Sequence, residues 1–466
     1  MALAVAACSS VPGVRQVLLP DLPKNAEVNP PSVREHQRVL SAYGGAYEDP
    51  RLHAKLTNIV GRLVAASDRP DLSYKITILN SPAVNAFALP NGQLYVTRGL
   101  LSLANDSAEF ASVMSHEMAH VIARHAATRE EQARRTEVIS NVNDLLNDPQ
   151  VGAMALARSK IALASFSRSQ EFEADGIGVG IAARAGFDPF GTSRLLTSMG
   201  RNAELYTASR GGDARSLDFL SSHPATPERV KNAADSARQF PATGRAHRDK
   251  AAYLASLDGM TYGEDPADGF VRGRHFLHPK LGFSFMAPEG FVLDNTTQAV
   301  LGSKEGAGQA LRLDVVKVSP EQSLIEYLNS GWIENIEDGS VEELSVNSVP
   351  AATATANGNQ WAFRLYVVRF GGEVYRFIFA AKNRTPEADR SFRESVQTFR
   401  RLTTQESRSI KPLHLKIVKV QPGDTVESLS TRMAPFDHQV ERFQVLNGLE
   451  PDEQLKAGDF VKIIVE

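Results

Sequence analysis

Cysteine is almost absent from this 466-residue chain, whose single copy is Cys8. A chain with one cysteine forms no internal disulfide, which excludes the disulfide-stapled class of small secreted scaffolds. The uninterrupted apolar runs of about 18 residues that a transmembrane helix needs are also missing. Neither sign of charge dominates, because 51 basic residues stand against 54 acidic ones. The sequence therefore has no polybasic surface for nucleic acid and no long acidic tail.

The position of the cysteine suggests a role for it. The segment Val5-Ala6-Ala7-Cys8 resembles a bacterial lipobox, in which the cysteine becomes the lipidated first residue of the mature protein. A basic region and a longer apolar stretch are missing before it, so we expect the signal to begin further upstream. The alternative is a small residue in an unstructured N-terminus. The lipobox interpretation predicts a bacterial periplasmic protein, anchored to the outer membrane through Cys8.

The chain is too long for one compact core, and the period of its apolar residues changes along its length. Helical patterns dominate the first half, strand patterns follow, and polar or proline-rich segments separate the parts. No repeat of about 34 residues is present, which argues against a tandem-repeat scaffold. The predicted segments are a signal remnant and tether (1–32), a mainly α-helical domain (33–264), an α+β domain (265–402), a linker (403–412) and a small terminal unit (413–466).

Two turns are predicted inside these segments. The tripeptide Pro90-Asn91-Gly92 stands between two short strand patterns, which predicts a small β-hairpin within the helical domain. Gly371-Gly372 stands between two longer alternating patterns, which predicts a hairpin in the α+β domain.

The stretch SHEMAHVIARH, Ser115 to His125, holds three histidines and one carboxylate. On a helix, residues i and i+4 share a face, so His116 and His120 can bind the same metal ion. Glu117 lies about 100° away, which suits a group acting on a water beside the ion rather than a ligand. His125 lies about 180° round the helix from His116. We therefore interpret His125 as a surface or packing histidine rather than a ligand.

Catalytic zinc requires a third protein ligand and an open position for water. The segment SRSQEFEAD offers Glu171 and Asp175, which share a helix face, whereas Glu173 falls on the far side. We expect Glu171 to bind the ion and Asp175 to hold a histidine N–H. The alternative is a pair of solvated acids on a surface helix. The small and apolar residues that follow indicate burial, where unpaired carboxylates are costly, and this favours the metal site.

Three motifs in order, NAFALPNGQLYVTRGLL, HEMAH and SRSQEFEAD, resemble the HtpX/BepA class of gluzincin metallopeptidases, which includes the CAAX-prenyl proteases. The resemblance covers about residues 35–240 and implies a zincin-like fold with one zinc ion per chain and endopeptidase activity. It implies that zinc is bound by His116, His120 and Glu171. It also implies that Glu117 is the general base and that Asp175 orients a ligand. The edge strand that would pair with substrate contains Asn85, Ala86 and Phe87.

A further histidine, His223, precedes a predicted helix with Thr226 at its N-cap and Pro227 at its first position. One interpretation is a turn histidine that packs against its own helix. The other follows from the resemblance to BepA-like proteins, whose His-Pro loop can occupy the open zinc position. His223 would then be a removable ligand of a latent enzyme. The helical tandem-repeat module of those proteins has no counterpart here.

The terminal unit carries GDTVESLS, FQVLNGL and LKAGDFVKI in order, and these resemble the marks of a LysM domain. The resemblance implies a βααβ fold that binds N-acetylglucosamine-containing glycans such as peptidoglycan. Its groove would lie between the loop of Gly423, Asp424 and Thr425 and the loop 448–451. The alternative is a βααβ unit that has lost glycan binding. The α+β domain has no catalytic motif, and we interpret it as an interaction or spacer module.

Together these features predict a zinc endopeptidase that cleaves unfolded or misassembled envelope proteins and is held to the cell wall by LysM. A peptidoglycan peptidase is the first alternative, although the resembling motifs are those of protein-cleaving enzymes. A non-catalytic assembly factor or holdase is the second alternative. The presence of Glu117 argues against it, because a degenerate protease is free to lose its base.

Overall fold

The computed structural model describes residues 31–127, 166–210, 219–240 and 248–466, apart from 297–298, 305, 307 and 359. Cys8 and residues 1–30 of the predicted tether lie outside the described residues. The protein is multidomain and contains both helices and sheets, as expected. In the part of the chain that the structure describes, no helix has the length and hydropathy needed to cross a bilayer.

The first domain surrounds a small sheet with helices. Its elements are α1 (Pro31–Ala42), α2 (Pro50–Ala66), β1 (Lys75–Leu79), β2 (Ala86–Ala88), β3 (Gln93–Thr97), α3 (Arg98–Leu103), α4 (Ser107–Ile122), α5 (Arg168–Arg184), α6 (Gly191–Arg210), α7 (Phe219–Ser222), α8 (Pro227–Ala237), α9 (Lys250–Leu257) and β4 (Thr261–Tyr262). In the described sheet β1 is parallel to β3, and β2 is antiparallel to β3 at one edge. The predicted hairpin at Pro90-Asn91-Gly92 is confirmed, since that turn joins β2 to β3.

Helix α4 runs through the middle of the first domain. Every residue from Ser107 to His120 is buried, so neighbours cover the helix on all sides. The helix begins at Asp106, whose side chain accepts a hydrogen bond from the Glu109 backbone N–H. Helix α5 packs along α4 and β2 lies across it. This packing brings α5 and the edge strand to the end of α4 that carries HEMAH.

The second domain is built mainly from antiparallel strands. Its elements are β5 (Phe270–Arg272), β6 (His275–His278), β7 (Phe283–Met286), β8 (Phe291–Asn295), β9 (Val300–Lys304), β10 (Gln309–Val316), α10 (Leu324–Leu328), β11 (Glu342–Val346), β12 (Val349–Asn357), β13 (Ala362–Phe370), β14 (Glu373–Ala381), α11 (Pro386–Gln397) and β15 (Arg400–Arg401). Seven strands pair in the order β11-β12-β13-β14-β10-β9-β8, and four pair as β15-β7-β6-β5. The predicted hairpin at Gly371-Gly372 is confirmed between β13 and β14.

Within the segment predicted as a linker, the chain forms the short helix α12 (Thr404–Ser409). The local reason is a capping box, in which Thr403 and Glu406 satisfy each other's backbone N–H groups. The terminal unit follows as β16 (Leu413–Lys419), α13 (Val426–Ser430), α14 (Gln439–Asn447) and β17 (Phe460–Val465).

The terminal unit shares a core with the first domain. Strand β4 of the first domain pairs with β16, which gives a three-stranded sheet in the order β17-β16-β4. Four consecutive residues of β17, Val461 to Ile464, are buried. Because neighbouring strand residues face opposite sides, both faces of this strand are covered. Leu415 and Ile464 belong to the same apolar cluster as Leu56 of α2. The sequence predicts the terminal unit as a separate domain, because a sequence does not reveal which apolar faces pack against each other.

Lys462 of β17 reaches into this shared interface. Its buried ammonium lies 2.7, 3.2 and 2.9 Å from the carbonyl oxygens of Ser102, Leu103 and Ala104. These carbonyls end α3, and cations are stabilised at the C-terminus of a helix. The contact fixes the terminal unit to the turn that leads into α4.

Candidate metal centre

The three predicted ligands meet at one buried point. His116 and His120 lie one turn apart on α4, with their Nε2 atoms 3.0 Å from each other. Glu171 faces them from the first turn of α5, with Oε1 3.6 Å from His120 Nε2 and Oε2 3.7 Å from His116 Nε2. All three side chains are buried. The i,i+4 spacing and the packing of α5 on α4 together produce this arrangement.

His223 also lies inside the site. It is fully buried, and its Nδ1 is 2.9 Å from Glu171 Oε1 and 3.3 Å from His116 Nε2. Helix α8 begins shortly after it with Thr226 as N-cap and Pro227 in the first turn, as the sequence predicted. The loop before α8 therefore carries His223 towards the ligand carboxylate.

These four side chains fit a metal ion by the chemistry of their donor atoms. One nitrogen or oxygen from each of His116, His120, Glu171 and His223 lies within 4.8 Å of the others. His116 Nδ1 is 2.9 Å from Asp175 Oδ1, which favours the tautomer with the proton on Nδ1 and the lone pair on Nε2. Burial lowers the pKa of His116 and of His120, which keeps both imidazoles neutral. Lone pairs of neighbouring neutral rings repel unless a cation stands between them.

Glu117 faces the same space without joining the ligand group. Its carboxylate receives a hydrogen bond from the Ala88 backbone of the edge strand. Its Oε1 is 3.8 Å from His223 Nε2 and has no hydrogen-bond partner among the described residues. Burial raises the pKa of Glu117 well above its usual value, and the nearby Glu171 charge adds to the effect. A carboxylate with this affinity for a proton suits general base and acid catalysis.

The segment predicted to meet substrate lies beside Glu117. Ala86 and Phe87 lie in β2. The backbone N–H of the next residue, Ala88, donates a hydrogen bond to the Glu117 carboxylate. Phe87 is buried and stacks on Tyr95 with ring centroids 4.9 Å apart. Asn85 is buried too, and its Nδ2 donates to the Tyr43 hydroxyl. The side chains of Asn85 and Phe87 are thus engaged in packing, and the backbone of β2 forms the edge of the described sheet.

Asp175 lies behind His116 and is held by Arg229, a residue that sequence reasoning missed. Arg229 donates to both Asp175 oxygens at 2.8 and 2.7 Å, and its Nη1 lies 2.6 Å from Glu171 Oε2. Burial raises the pKa of Asp175, but the bonds from Arg229 and His116 outweigh it and hold the pKa at about 2. Nothing in the sequence around Arg229 distinguishes it from an exposed helical arginine.

His125 is a packing histidine and does not belong to the ligand group, but its predicted position about 180° from His116 is wrong. His125 is buried, and its Nδ1 lies 2.9 Å from His120 Nδ1. The helical-wheel argument fails because α4 ends at Ile122 and Arg124 has a φ of 56°. This left-handed residue reverses the chain and returns His125 to the back of His120.

The predicted glycan loop is ordered by its own side chains. Gly423 has a φ of 92°, and Asp424 Oδ2 accepts from the Gln421 backbone N–H at 2.7 Å. Thr425 caps α13. The loop on the other side of the predicted groove begins at Gly448, where an added Cβ would lie 2.9 Å from Asn105 Nδ2. That second loop therefore packs against the first domain.

The buried cluster of His116, His120 and Glu171, with Glu117 beside it, defines the metal site of an HExxH metallopeptidase. Comparison with known families agrees: residues 50–237 match Peptidase family M48, and residues 418–463 match the LysM domain. The chain thus contains an M48 peptidase domain and a LysM domain.

Several characterised proteins resemble the peptidase part. Mitochondrial metalloendopeptidase OMA1 of Schizosaccharomyces pombe is 29% identical over 200 residues, 42% of this chain and 57% of the relative. The Arabidopsis thaliana OMA1 is 32% identical over 190 residues, 40% of this chain and 34% of the relative. The beta-barrel assembly-enhancing protease of Escherichia coli K12 is 28% identical over 213 residues, 44% of this chain and 42% of the relative. The chain thus spans about half or less of the length of these relatives.

Proposed function

We propose that this protein is a zinc-dependent endopeptidase that cleaves unfolded or misassembled proteins of the bacterial envelope. The observation that carries the proposal is the buried convergence of His116, His120 and Glu171 with Glu117 beside them, inside an M48 domain. The similarity to a mitochondrial metalloendopeptidase and to a beta-barrel assembly-enhancing protease supports it. Donor type supports zinc, since two neutral imidazoles and one carboxylate form a common catalytic zinc set.

His116, His120 and Glu171 would hold one zinc ion per chain, and Asp175 and Arg229 would keep the ligands in place. When bound, zinc would lower the pKa of a water molecule and polarise the scissile carbonyl. Glu117 takes the proton of the attacking water and passes it to the leaving amine.

An extended polypeptide is the substrate that this site favours. Strand β2, the edge of the described sheet, adjoins Glu117 through Ala88, and an edge strand can pair with a substrate backbone as an added strand. Such pairing needs a substrate segment that has no hydrogen bonds of its own. Folded proteins offer few such segments, whereas unfolded or misassembled ones offer many.

In the resting protein, we propose, His223 acts as a removable fourth ligand. Its imidazole is buried within hydrogen-bonding distance of the ligand Glu171, which supports a closed state. Substrate hydrolysis needs that position, so the loop carrying His223 would have to move first. Pro224 after it disfavours helical backbone at His223 and keeps the loop extended.

The remaining parts of the chain would set its location. The LysM domain would bind peptidoglycan through the loop of Gly423, Asp424 and Thr425, and a lipid on Cys8 would anchor the protein to the outer membrane. In this proposal, residues 33–264 are a mainly helical zincin-like peptidase domain, 265–402 an interaction or spacer module, and 413–466 a βααβ LysM domain. The role is envelope protein quality control.

The proposal is tested with the full chain and its Glu117→Gln variant, with Glu204→Gln, an exposed carboxylate on α6, as the control. Zinc content and cleavage of unfolded casein are measured for each. We expect Glu117→Gln to keep zinc and lose proteolysis, because an amide cannot accept the proton. Cleavage at the wild-type rate by Glu117→Gln would refute the mechanism.

A peptidoglycan peptidase is the second candidate, and the LysM match favours it. Parallel digestion of purified murein and unfolded protein separates the two candidates. Release of muropeptides without cleavage of protein would replace the first proposal by the second. Failure to cleave either substrate at full zinc loading would favour a non-catalytic assembly factor or holdase.

A further inference from the structure

Both ligand histidines of α4 are supported from behind through Nδ1. His116 Nδ1 lies 2.9 Å from Asp175 Oδ1, and His120 Nδ1 lies 2.9 Å from His125 Nδ1. The other nitrogen of His125, Nε2, lies 3.3 Å from Glu173 Oε2. His116 therefore contacts the Asp175 carboxylate directly. His120 is linked to the Glu173 carboxylate through the imidazole of His125.

The positions of the protons on His120 and His125 follow from one requirement. To bind a cation, His120 Nε2 must keep its lone pair, so the neutral ring carries its proton on Nδ1. That proton points at His125 Nδ1, which must then accept it. A neutral His125 consequently carries its own proton on Nε2, where the Glu173 carboxylate accepts it. The three groups fit together in one tautomeric arrangement.

The surroundings of His125 keep its ring in that position. The side chain is only 4% exposed, and the left-handed Arg124 turns the chain back towards α4. Glu173 lies on α5, on the side away from Glu171, with its side chain 58% exposed. His125 thus connects the end of α4 to the outer side of α5, and these two helices carry the three ligands.

We propose that His125 is a positioning residue that fixes the tautomer and ring orientation of His120, with Glu173 as the outer acceptor. The inference rests on the metal binding in the proposed function and is independent of proteolysis. Partners behind a ligand histidine raise its basicity and hold its ring, and their loss typically costs 10–100-fold in metal affinity. Because Glu173 is largely exposed, its share of this effect is the smaller one.

The experiment uses the full chain and two substitutions of His125. His125→Leu removes the acceptor and keeps much of the volume. His125→Asn keeps an acceptor, since the amide Oδ1 stands close to where the imidazole Nδ1 stood. Zinc affinity is measured by competition with a chromophoric chelator, and the ligand field by the visible spectrum of the Co2+ form. His278→Leu, a buried histidine in the α+β domain, is the matched control.

We expect His125→Leu to weaken zinc binding by about 10–100-fold and to change the Co2+ spectrum. His125→Asn should recover most of the affinity, and Glu173→Gln should lose only a few-fold. Unchanged affinity in His125→Leu would overturn the proposal. Equal losses in the Leu and Asn variants would also overturn it, because they would assign His125 to packing alone. A wild-type chain that binds zinc but cleaves no protein would refute the proposed function and leave this inference standing.

Discussion

Gly178 of α5 lies directly against the backbone of His116 on α4. A Cβ added at Gly178 would stand 3.0 Å from His116 N and 3.1 Å from its Cα, closer than such atoms normally approach. The absence of a side chain therefore sets the distance between the two helices. Since α5 carries Glu171 and α4 carries both histidines, this contact also sets the spacing of the ligands.

Substitution of Gly178 is expected to damage the metal site. In Gly178→Ala the two backbones must separate, which costs about 1–3 kcal/mol of unfolding free energy and weakens zinc binding. Gly176→Ala on the same helix is the control, because nothing lies within 4 Å of its added Cβ. That variant should gain about 0.5–1 kcal/mol, since alanine is the better helix former. Urea unfolding and chelator competition measure both effects, and equal behaviour of the two variants would contradict the packing argument.

Loss of Arg229 should be among the most destabilising changes on α8. Arg229→Met leaves Asp175 and Glu171 buried without their guanidinium partner, which costs about 3–5 kcal/mol. Arg238→Met is the matched control, because Arg238 pairs with Asp235 at the surface and such pairs contribute about 0–1 kcal/mol. The measurement is urea unfolding of the zinc-free chains. A loss below 1 kcal/mol in Arg229→Met would show that the buried cluster does not depend on this residue.

The latch proposal predicts a gain of activity. His223→Ala opens the fourth position, so cleavage of unfolded protein should rise several-fold at equal zinc loading. If His223 instead stabilised the developing oxyanion, the same change would lower turnover. The double variant His223→Ala, Glu117→Gln should be inactive, which assigns any gain to this site. A clear fall in turnover with His223→Ala alone would refute the latch.

The shared interface of the LysM domain predicts that Lys462 contributes to stability. Lys462→Ala removes the donor from the carbonyls that end α3 and leaves a cavity in a buried interface. We expect a loss of about 1–3 kcal/mol, seen as a lower Tm of the full chain. Lys456→Ala in the same domain, an exposed position, should change the unfolding free energy by less than about 0.5 kcal/mol. Equal Tm values in the two variants would show that Lys462 does not stabilise the interface.

The predictions that agree with the structure rest on local patterns in the sequence. The i,i+4 spacing alone places His116 and His120 on one face, because a helix has a fixed period. The Gly371-Gly372 hairpin is equally local, because a turn of this kind depends on residues that adopt positive φ. Such features need no knowledge of the rest of the fold.

Other features depended on contacts between distant segments. Arg229 is 54 residues from Asp175, and Lys462 is about 360 from Ser102, so no local period predicts either contact. The angular position predicted for His125 was wrong because one left-handed residue, Arg124, ended the helix that the argument assumed. The sequence by itself determined the helices, the turns and the donor atoms, since these follow from short-range sterics and side-chain chemistry. Only the tertiary structure decided which buried charges pair and where the LysM domain docks, because burial depends on which apolar faces meet.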